Sequence, residues 1–257
     1  MTRIASKKST KPLRNIIIRH LREWHRKLGI ITAFFLIYLS ISGIALNHTK
    51  DFSLAKTPIT NNWLLNHYGI QAPEDIRFYH QGRIVVTNEI VWLDDNMLVE
   101  SNEPIISAGK YQEFWLILSQ SSLSIFTLAG QLVETIDSTT GLPNFPSAMA
   151  LTNQGILLKT ANSIYQSDAD LLTWQTVFPQ QSPRWLTPSH VNDAQITQAE
   201  QAYRSQYLTL ERLVVDSHSG RIFGKFGVLF MDIIAVILVL LSLSGIYIWL
   251  RYARAKR

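Results

Sequence analysis

Three histidines stand at the ends of two long apolar stretches, where imidazole rings could hold a metal. His25 precedes the first stretch, His48 follows it, and His218 lies eight residues before the second stretch begins at Phe226. Imidazole is a common metal ligand, and two rings can clamp one metal ion from opposite sides. His48 and His218 form the better pair, because two antiparallel helices would bring both rings to one end. The alternative is that both are interfacial polar residues that cap helix ends or hydrogen-bond the sheet.

No other residue pattern argues for a particular reaction. The chain has no cysteine, which excludes disulfides, thiolate zinc sites and cysteine-ligated iron–sulfur clusters. Walker-type loops and the HExxH, GxSxG and GxGxxG motifs do not occur in the sequence. The sequence therefore leaves open whether the protein is an enzyme, indicates no catalytic residue, and predicts no free metal-ion site.

Two stretches are long and apolar enough to cross a lipid bilayer as helices. Residues 30–46 are 17 residues without a charge, and Leu28 and Gly29 lengthen this run. Residues 226–250 are 25 residues with a single acid, Asp232. A hydrocarbon core of ~30 Å needs about 20 apolar residues. Since no small-x-small cleavage motif follows the first run, it is expected to be an uncleaved anchor and not a signal peptide.

Basic residues are concentrated at the outer flanks of the two spans. Nine lysines and arginines precede Ile30 against one acid, Glu23, and four follow Leu250 with no acid. The rest of the chain has 11 basic and 18 acidic residues. The net charge of +5 therefore comes from the basic residues of the two short tails, and no nucleic-acid surface is predicted. The positive-inside rule predicts that both termini are cytoplasmic and that the central region is outside.

The central region alternates apolar and polar residues in the manner of β-strands. Residues 76–178 are therefore predicted to be mainly antiparallel β, with no helix longer than two turns. Three segments, beginning at Arg83, Glu113 and Gly155, repeat a rhythm of three strands and two turns. This spacing resembles that of propeller blades, but a closed propeller usually needs four to eight. An open curved sheet or a small sandwich is an equal alternative.

These patterns predict a membrane α + β protein. Two antiparallel transmembrane helices carry a mainly antiparallel-β extracytoplasmic domain, and an amphipathic lead-in from Leu13 continues into the first span. Residues 193–206 have helix-forming composition, and residues 207–224 alternate like a strand. The predicted segments are a cytoplasmic basic tail with helix lead-in (1–27), transmembrane helix 1 (28–47), the β domain (48–192), a helix–strand unit (193–225), transmembrane helix 2 (226–250) and a cytoplasmic tail (251–257).

Both ends of the chain, about 70 residues together, resemble the PepSY-associated transmembrane family of bacterial inner-membrane proteins. The matching positions are His25, Gly29, Ser42, Gly43, Asn47, His48, Asp216, His218, Gly220, Arg221, Gly224, Ser244 and Gly245. Residues 193–220 resemble the closing helix–strand half of a PepSY unit. The resemblance implies a multi-pass protein of the bacterial inner (cytoplasmic) membrane. Larger members of the family have four or more spans, whereas this chain has two.

Some larger members of the family resemble ferric-siderophore reductases that hold haem b between histidines. The resemblance implies that His48 and His218 could ligate haem b. His25 is a weaker candidate, because a haem there would need His25 of a second copy, and the favoured alternative is a headgroup anchor beside Arg22 and Arg26. The expected role is reduction of a ferric or metal chelate, or iron uptake, at the periplasmic face. The alternative is a non-catalytic binding or scaffold protein for an envelope partner. The expected partners are the lipid bilayer and either a second copy or an envelope protein.

Two features of the spans have simpler structural explanations. Asp232 is an acid inside a span, which marks a functional candidate by default. It lies six residues past Phe226, or ~9 Å of helix rise, so it is expected to reach outer headgroup water or to bond Arg221 or Lys225. The two Ser–Gly steps, at positions 42–43 and 244–245, are expected to allow close helix packing without any chemistry.

The orientation of the chain can be tested with reporter fusions. Alkaline phosphatase is active only outside the cytoplasm. A fusion after Gln120 should therefore be active, and a fusion after Arg257 should be inactive. The reverse pattern of activities would invert the predicted topology.

Overall fold

The chain folds into two compact units, and one is inserted in the sequence of the other. The computed structural model describes residues 13–255, with side chains described for residues 19–251. The first unit combines the chain up to Pro58 with the chain from Leu208, and the second is Ile59–Tyr207. The helices are α1 (Leu13–Asn47), α2 (Asn62–His67), α3 (Asp193–Ser205), α4 (Leu210–His218) and α5 (Gly224–Ala255).

α1 and α5 are the two apolar helices of the first unit. Each contains a segment long and apolar enough to cross a membrane, within Arg19–Asn47 and Arg221–Arg251. The amphipathic lead-in continues from Leu13 into the first span as one helix, as predicted. The two helices are antiparallel, and the rings of Phe35 and Phe230 meet edge to face with centroids 5.4 Å apart. The predicted pair of antiparallel spanning helices is thereby confirmed.

α4 is a helix where the alternation of residues 207–224 predicts a strand, so that prediction is wrong. Thr209 caps the helix, because its hydroxyl accepts a hydrogen bond from the Arg212 amide at 3.3 Å. Leu210, Leu213 and Ser217 then recur at the spacing of one helical face. The β-branched pair at positions 214–215 favours a strand locally, but the cap and the helical period prevail.

The chain leaves the first unit and returns to it at one place. Pro58 and Thr209 form an antiparallel β-bridge. The Leu210 amide also donates a hydrogen bond to the carbonyl of Thr57 at 2.9 Å. The whole inserted unit therefore begins and ends at two paired backbone segments.

The inserted unit contains three four-stranded antiparallel sheets within the described residues. Each sheet is formed by four strands that follow one another in sequence, so the predicted β-structure between residues 76 and 178 is confirmed. The strands are β1 (Ile76–Tyr79), β2 (Ile84–Thr87), β3 (Ile90–Leu93), β4 (Asn96–Glu100), β5 (Ile105–Tyr111), β6 (Phe114–Ser119), β7 (Ser122–Thr127), β8 (Leu132–Asp137), β9 (Ala148–Thr152), β10 (Gly155–Lys159), β11 (Ile164–Ser167) and β12 (Trp174–Val177).

The three repeated segments of the sequence correspond to the last three strands of each sheet. The first strand of each sheet precedes its segment and was not part of the repeated rhythm. β5 contains Ala108 and Gly109, and β9 contains Ala148 and Ala150. Small residues weaken the alternation that identifies a strand. They are accommodated because these strands lie in packed sheets, where neighbouring side chains fill the space.

The sheets are stacked, with sheet β5–β8 in the middle. Successive residues of β6 point to opposite faces, as in any strand. Trp115 and Ile117 pack with residues of sheet β1–β4 in one core cluster. Leu116 and Leu118 pack with residues of sheet β9–β12 in a second cluster. The middle sheet is therefore apolar on both faces. In a two-layer sandwich each sheet would have one apolar face and one solvent-facing face.

Helix α3 covers part of the outer face of sheet β1–β4. Asn192 caps it by accepting a hydrogen bond from the Gln195 amide at 3.0 Å. Ala199, on the same helix, is buried. Near the end of α3, the Arg204 guanidinium donates to the Ile70 carbonyl at 3.0 Å. These contacts tie the start and the end of the inserted unit together.

Replacing a core leucine should test the stacking. Leu158 is fully buried between the second and third sheets. Leu158→Ala should therefore lower the free energy of unfolding by about 2–5 kcal/mol. The measurement is denaturant unfolding of the full chain in detergent, followed by tryptophan fluorescence. Leu132→Ala is the control, because Leu132 is exposed on β8, and equal losses for the two variants would contradict the stacked core.

Candidate functional site

His218 contacts the C-terminal half of α1 at a Ser–Gly step. Its Nδ1 lies 2.7 Å from the hydroxyl oxygen of Ser42. A Cβ built on Gly43 would lie 3.9 Å from Cε1 of the same ring, an ordinary van der Waals contact, so the ring packs over this step. One residue earlier, the Ser217 hydroxyl lies 2.5 Å from the hydroxyl of Tyr38. Two adjacent polar contacts therefore hold α4 against α1.

A tight corner places α4 beside the helix pair. Gly220 and Gly224 both have positive φ, of 77° and 65°, a conformation that glycine adopts without steric cost. Gly227 lies so close that a Cβ on it would clash with the Gly220 backbone. These glycines form a sharp turn between His218 and the second span, and His218 is folded onto α1.

His25 makes the matching contact at the other end of the helix pair. Its Nδ1 lies 2.8 Å from the hydroxyl oxygen of Ser244 on α5. A Cβ built on Gly245 would lie 3.4 Å from Cε1 of the ring. Each of the two Ser–Gly steps thus receives one histidine from another helix. The expectation that these steps serve packing alone is too narrow, because each also supplies a hydrogen-bond partner.

The serines are the site residues that the sequence analysis missed. Both spans contain the pattern Ser-x-Ser-Gly-Ile, at positions 40–44 and 242–246. That repetition was available in the sequence, and it marks equivalent positions on the two helices. His25 and Ser244 are 219 residues apart in the sequence, whereas Ser42 and His218 are 176 apart. Sequence spacing alone therefore does not identify these histidine–serine pairs.

His48 has a different partner. Its Nδ1 lies 2.8 Å from Oδ2 of Asp51, and its side chain is 54% exposed. Ser42, the partner of His218, is six residues earlier on α1, which is ~9 Å along the axis and ~120° around it. Within the described side chains, no hydrogen bond or ring contact joins His48 to His218. Joint ligation of one haem by these two histidines stays a prediction.

Apolar cavities flank the helix pair near the His25 and Ser217 contacts. One cavity of about 470 Å³ is lined by Trp24, His25, Leu28, Ser244 and Tyr247, among other residues of α1 and α5. Its volume is in the range of ligand pockets, roughly 300–1,000 Å³. Another, of about 300 Å³, is lined by residues that include the hydroxyl pair Tyr38–Ser217 and two aromatic rings of the spans, Phe35 and Phe230.

The acids near the spans have unequal surroundings. Asp216 is nearly buried, and its Oδ1 lies 3.0 Å from Nε of Arg221. Asp232 makes no hydrogen bond or ion pair with any described residue, so neither Arg221 nor Lys225 is its partner. The expected contact of Asp232 with one of these bases is therefore absent. The described residues also contain no group of three or more His, Asp or Glu that could hold a metal ion.

A comparison with known protein families agrees with these features. The family model for the PepSY-associated TM region matches residues 3–252, which include both apolar helices and the whole inserted unit. No curated protein matches the chain. The two apolar helices and the family together show that this is a membrane protein. Since the matched region is nearly the whole chain, the protein belongs to the PepSY-associated transmembrane family.

Proposed function

We propose that this protein binds haem b within the membrane and passes electrons to a ferric or metal-chelate substrate at the outer face. The proposal places the protein in the inner membrane with both termini in the cytoplasm, as the distribution of basic residues favours. The observation that carries it is the pair of histidine–serine contacts, at His25 and at His218. Bound haem would supply one-electron redox chemistry at each site.

The hydrogen bonds suit the histidines to be axial ligands. A metal-ligating histidine usually has its other ring nitrogen bonded to a neighbouring group, which fixes the tautomer and the ring orientation. In His25 and His218 this nitrogen is Nδ1, bonded by Ser244 and Ser42 respectively. Nε2 of each ring is then the nitrogen left to bind iron. Each ring also packs over the glycine beside its serine.

The cavity beside His25 suits a large, flat, apolar group. Leucine and aromatic side chains form most of its wall, and His25 and Ser244 are its polar members. Such an apolar groove favours an apolar ring system whose only strong bond is to one imidazole. The His25 site is therefore better supported than the sequence analysis indicated.

One haem cannot use both histidines. Ser42 marks the position of His218 on α1 and is 17 residues from His25, which is ~25 Å along the helix. Each haem therefore needs a second axial ligand. For His25 we propose the same residue of a second copy. For the haem at His218 we propose His48 as the second axial ligand. His48 would then have to break its hydrogen bond to Asp51 and bind the iron instead.

The absorption spectrum of the detergent-purified protein tests the proposal. Bis-histidine haem b should give a Soret band, with α and β bands on reduction. His25→Ala and His218→Ala should each remove part of the absorbance, and the double substitution should remove all of it. His190→Ala is the control, because His190 is exposed on the inserted unit. A protein that stays colourless when expressed with excess haem would refute the proposal.

The serine partners should act as positioning residues. Ser244→Ala removes the bond to Nδ1 of His25 and leaves the ligand itself intact. We expect the Soret band to remain, the affinity for haem to fall by about 10–100-fold, and the midpoint potential to shift. Ser244→Thr should restore the wild-type values, because it restores the hydroxyl. An unchanged potential and affinity in Ser244→Ala would show that the serine has no such role.

A second candidate function is non-catalytic binding of an envelope partner. One observation favours it: Phe178 is 92% exposed next to the outer face of sheet β9–β12. If the protein is colourless, a photo-crosslinking residue at position 178 should capture the partner in intact cells. The same photo-crosslinking residue at Glu113, an exposed position in the turn between β5 and β6, should not. Equal labelling at both positions would remove the support for a binding face.

A further inference from the structure

The cavity beside His25 has a mainly apolar wall, and hydrogen-bond donors follow it at one end. Leucine and aromatic side chains form most of this wall, and it contains no charged side chain. Tyr247 lines the cavity three residues beyond Ser244 on α5. Arg251 lies one further turn along the same helix, where its side chain is partly buried. A phenol and then a guanidinium therefore follow the cavity toward the C-terminus.

Arg251 lies on the side of α5 that lines the cavity. It is seven residues after Ser244, which is ~20° short of two full turns and ~10.5 Å of rise. Tyr247 is four residues before Arg251 and ~40° away around the helix. Helical side chains lean toward the N-terminus of their helix, so an arginine at this position covers the turn that contains Tyr247. The arginine stem therefore extends back toward the cavity.

Neither donor has a partner among the described side chains. The Tyr247 hydroxyl makes no hydrogen bond there, and Arg251 makes neither a hydrogen bond nor an ion pair with any described residue. Glu23 is the one acid before the first span. Its Oε2 lies 3.8 Å from Nδ1 of His20, and it is ~200° around α1 from His25. The anionic end of a ligand in the cavity would thus meet two unpaired donors, while the nearby acid faces elsewhere.

We infer that Arg251 and Tyr247 bind the carboxylates of the haem b that occupies the cavity beside His25. The inference rests on the proposed function and adds the residues that orient the cofactor. Haem is an apolar ring whose carboxylates lie on one edge, so it suits a cavity that has an apolar wall and donors at one end. A guanidinium binds a carboxylate through two parallel hydrogen bonds, and a phenol adds one more. Attachment at His25 and at Arg251 then fixes the orientation of the ring.

Titration of the haem-free full chain in detergent with haem b and with its dimethyl ester tests the inference. Esterification removes the negative charges and leaves the ring system and the iron unchanged. The parent is His218→Ala, so that the Soret absorbance reports only the site at His25. Arg251→Gln should weaken the binding of haem by about 10–100-fold and leave the binding of the ester unchanged. Unchanged binding of the ester also shows that the cavity is intact in the variant.

Two further variants sharpen the result. Tyr247→Phe should weaken the binding of haem by about tenfold, because it removes one hydrogen bond and no charge, and should also leave the ester unaffected. Arg26→Gln is the matched control. Arg26 is exposed and lies ~200° around α1 from both Trp24 and Leu28, which line the cavity. Its replacement should leave both affinities at the value of the parent.

The possible results separate this inference from the proposed function. If Arg251→Gln binds haem as tightly as the parent, or loses equal affinity for haem and for the ester, the inference is overturned and haem binding stands. An equal loss would indicate that Arg251 only stabilises the end of the helix or binds the phosphate of a lipid. A parent that gives no Soret band with either ligand would refute haem binding at His25, and this inference with it.

Discussion

Polar side chains inside a lipid layer must find partners within protein, and this requirement organises the membrane unit. Water cannot satisfy them there, so each hydroxyl and imidazole either bonds to its own helix or joins two helices. Several serines of the spans bond to their own helix; Ser40, for example, donates to the Leu36 carbonyl. Ser42 and Ser244 also join two helices, because each forms a hydrogen bond with a histidine of another helix. The same side chains thus fix the register of three helices and orient the rings.

The inserted unit follows a different rule, set by alternation along strands. The middle sheet is apolar on both faces because it has a neighbour on each side. Each outer sheet buries one face against the middle sheet, and α3 packs on the other face of the first. A stack of this kind grows by adding sheets and does not require a ring. Three sheets are therefore enough here, although they are too few for a usual closed propeller.

The sequence was informative where a single periodicity extends over many residues. The two spans, the antiparallel β region and the three repeated segments all follow from such patterns. The prediction failed at α4, because nine residues with two adjacent valines satisfy both a strand and a helix pattern, and the Thr209 cap decides between them. The first strand of each sheet lies within the predicted β region but outside the repeated segments, and in β5 and β9 small residues weaken the alternation. The serine partners of His25 and His218 depend on tertiary contacts, which spacing along the chain does not encode.

The bridge between Pro58 and Thr209 has a consequence for how such proteins can diversify. The chain enters the inserted unit after Pro58 and returns from it just before Thr209, and these two residues are paired. The distance between Pro58 and Thr209 therefore does not depend on the structure of the segment between them. A segment of any length or fold whose ends lie close together could occupy this place. The helices and their histidines would keep their geometry. The chain thus combines a membrane unit with one inserted unit whose replacement would leave the membrane unit's geometry unchanged.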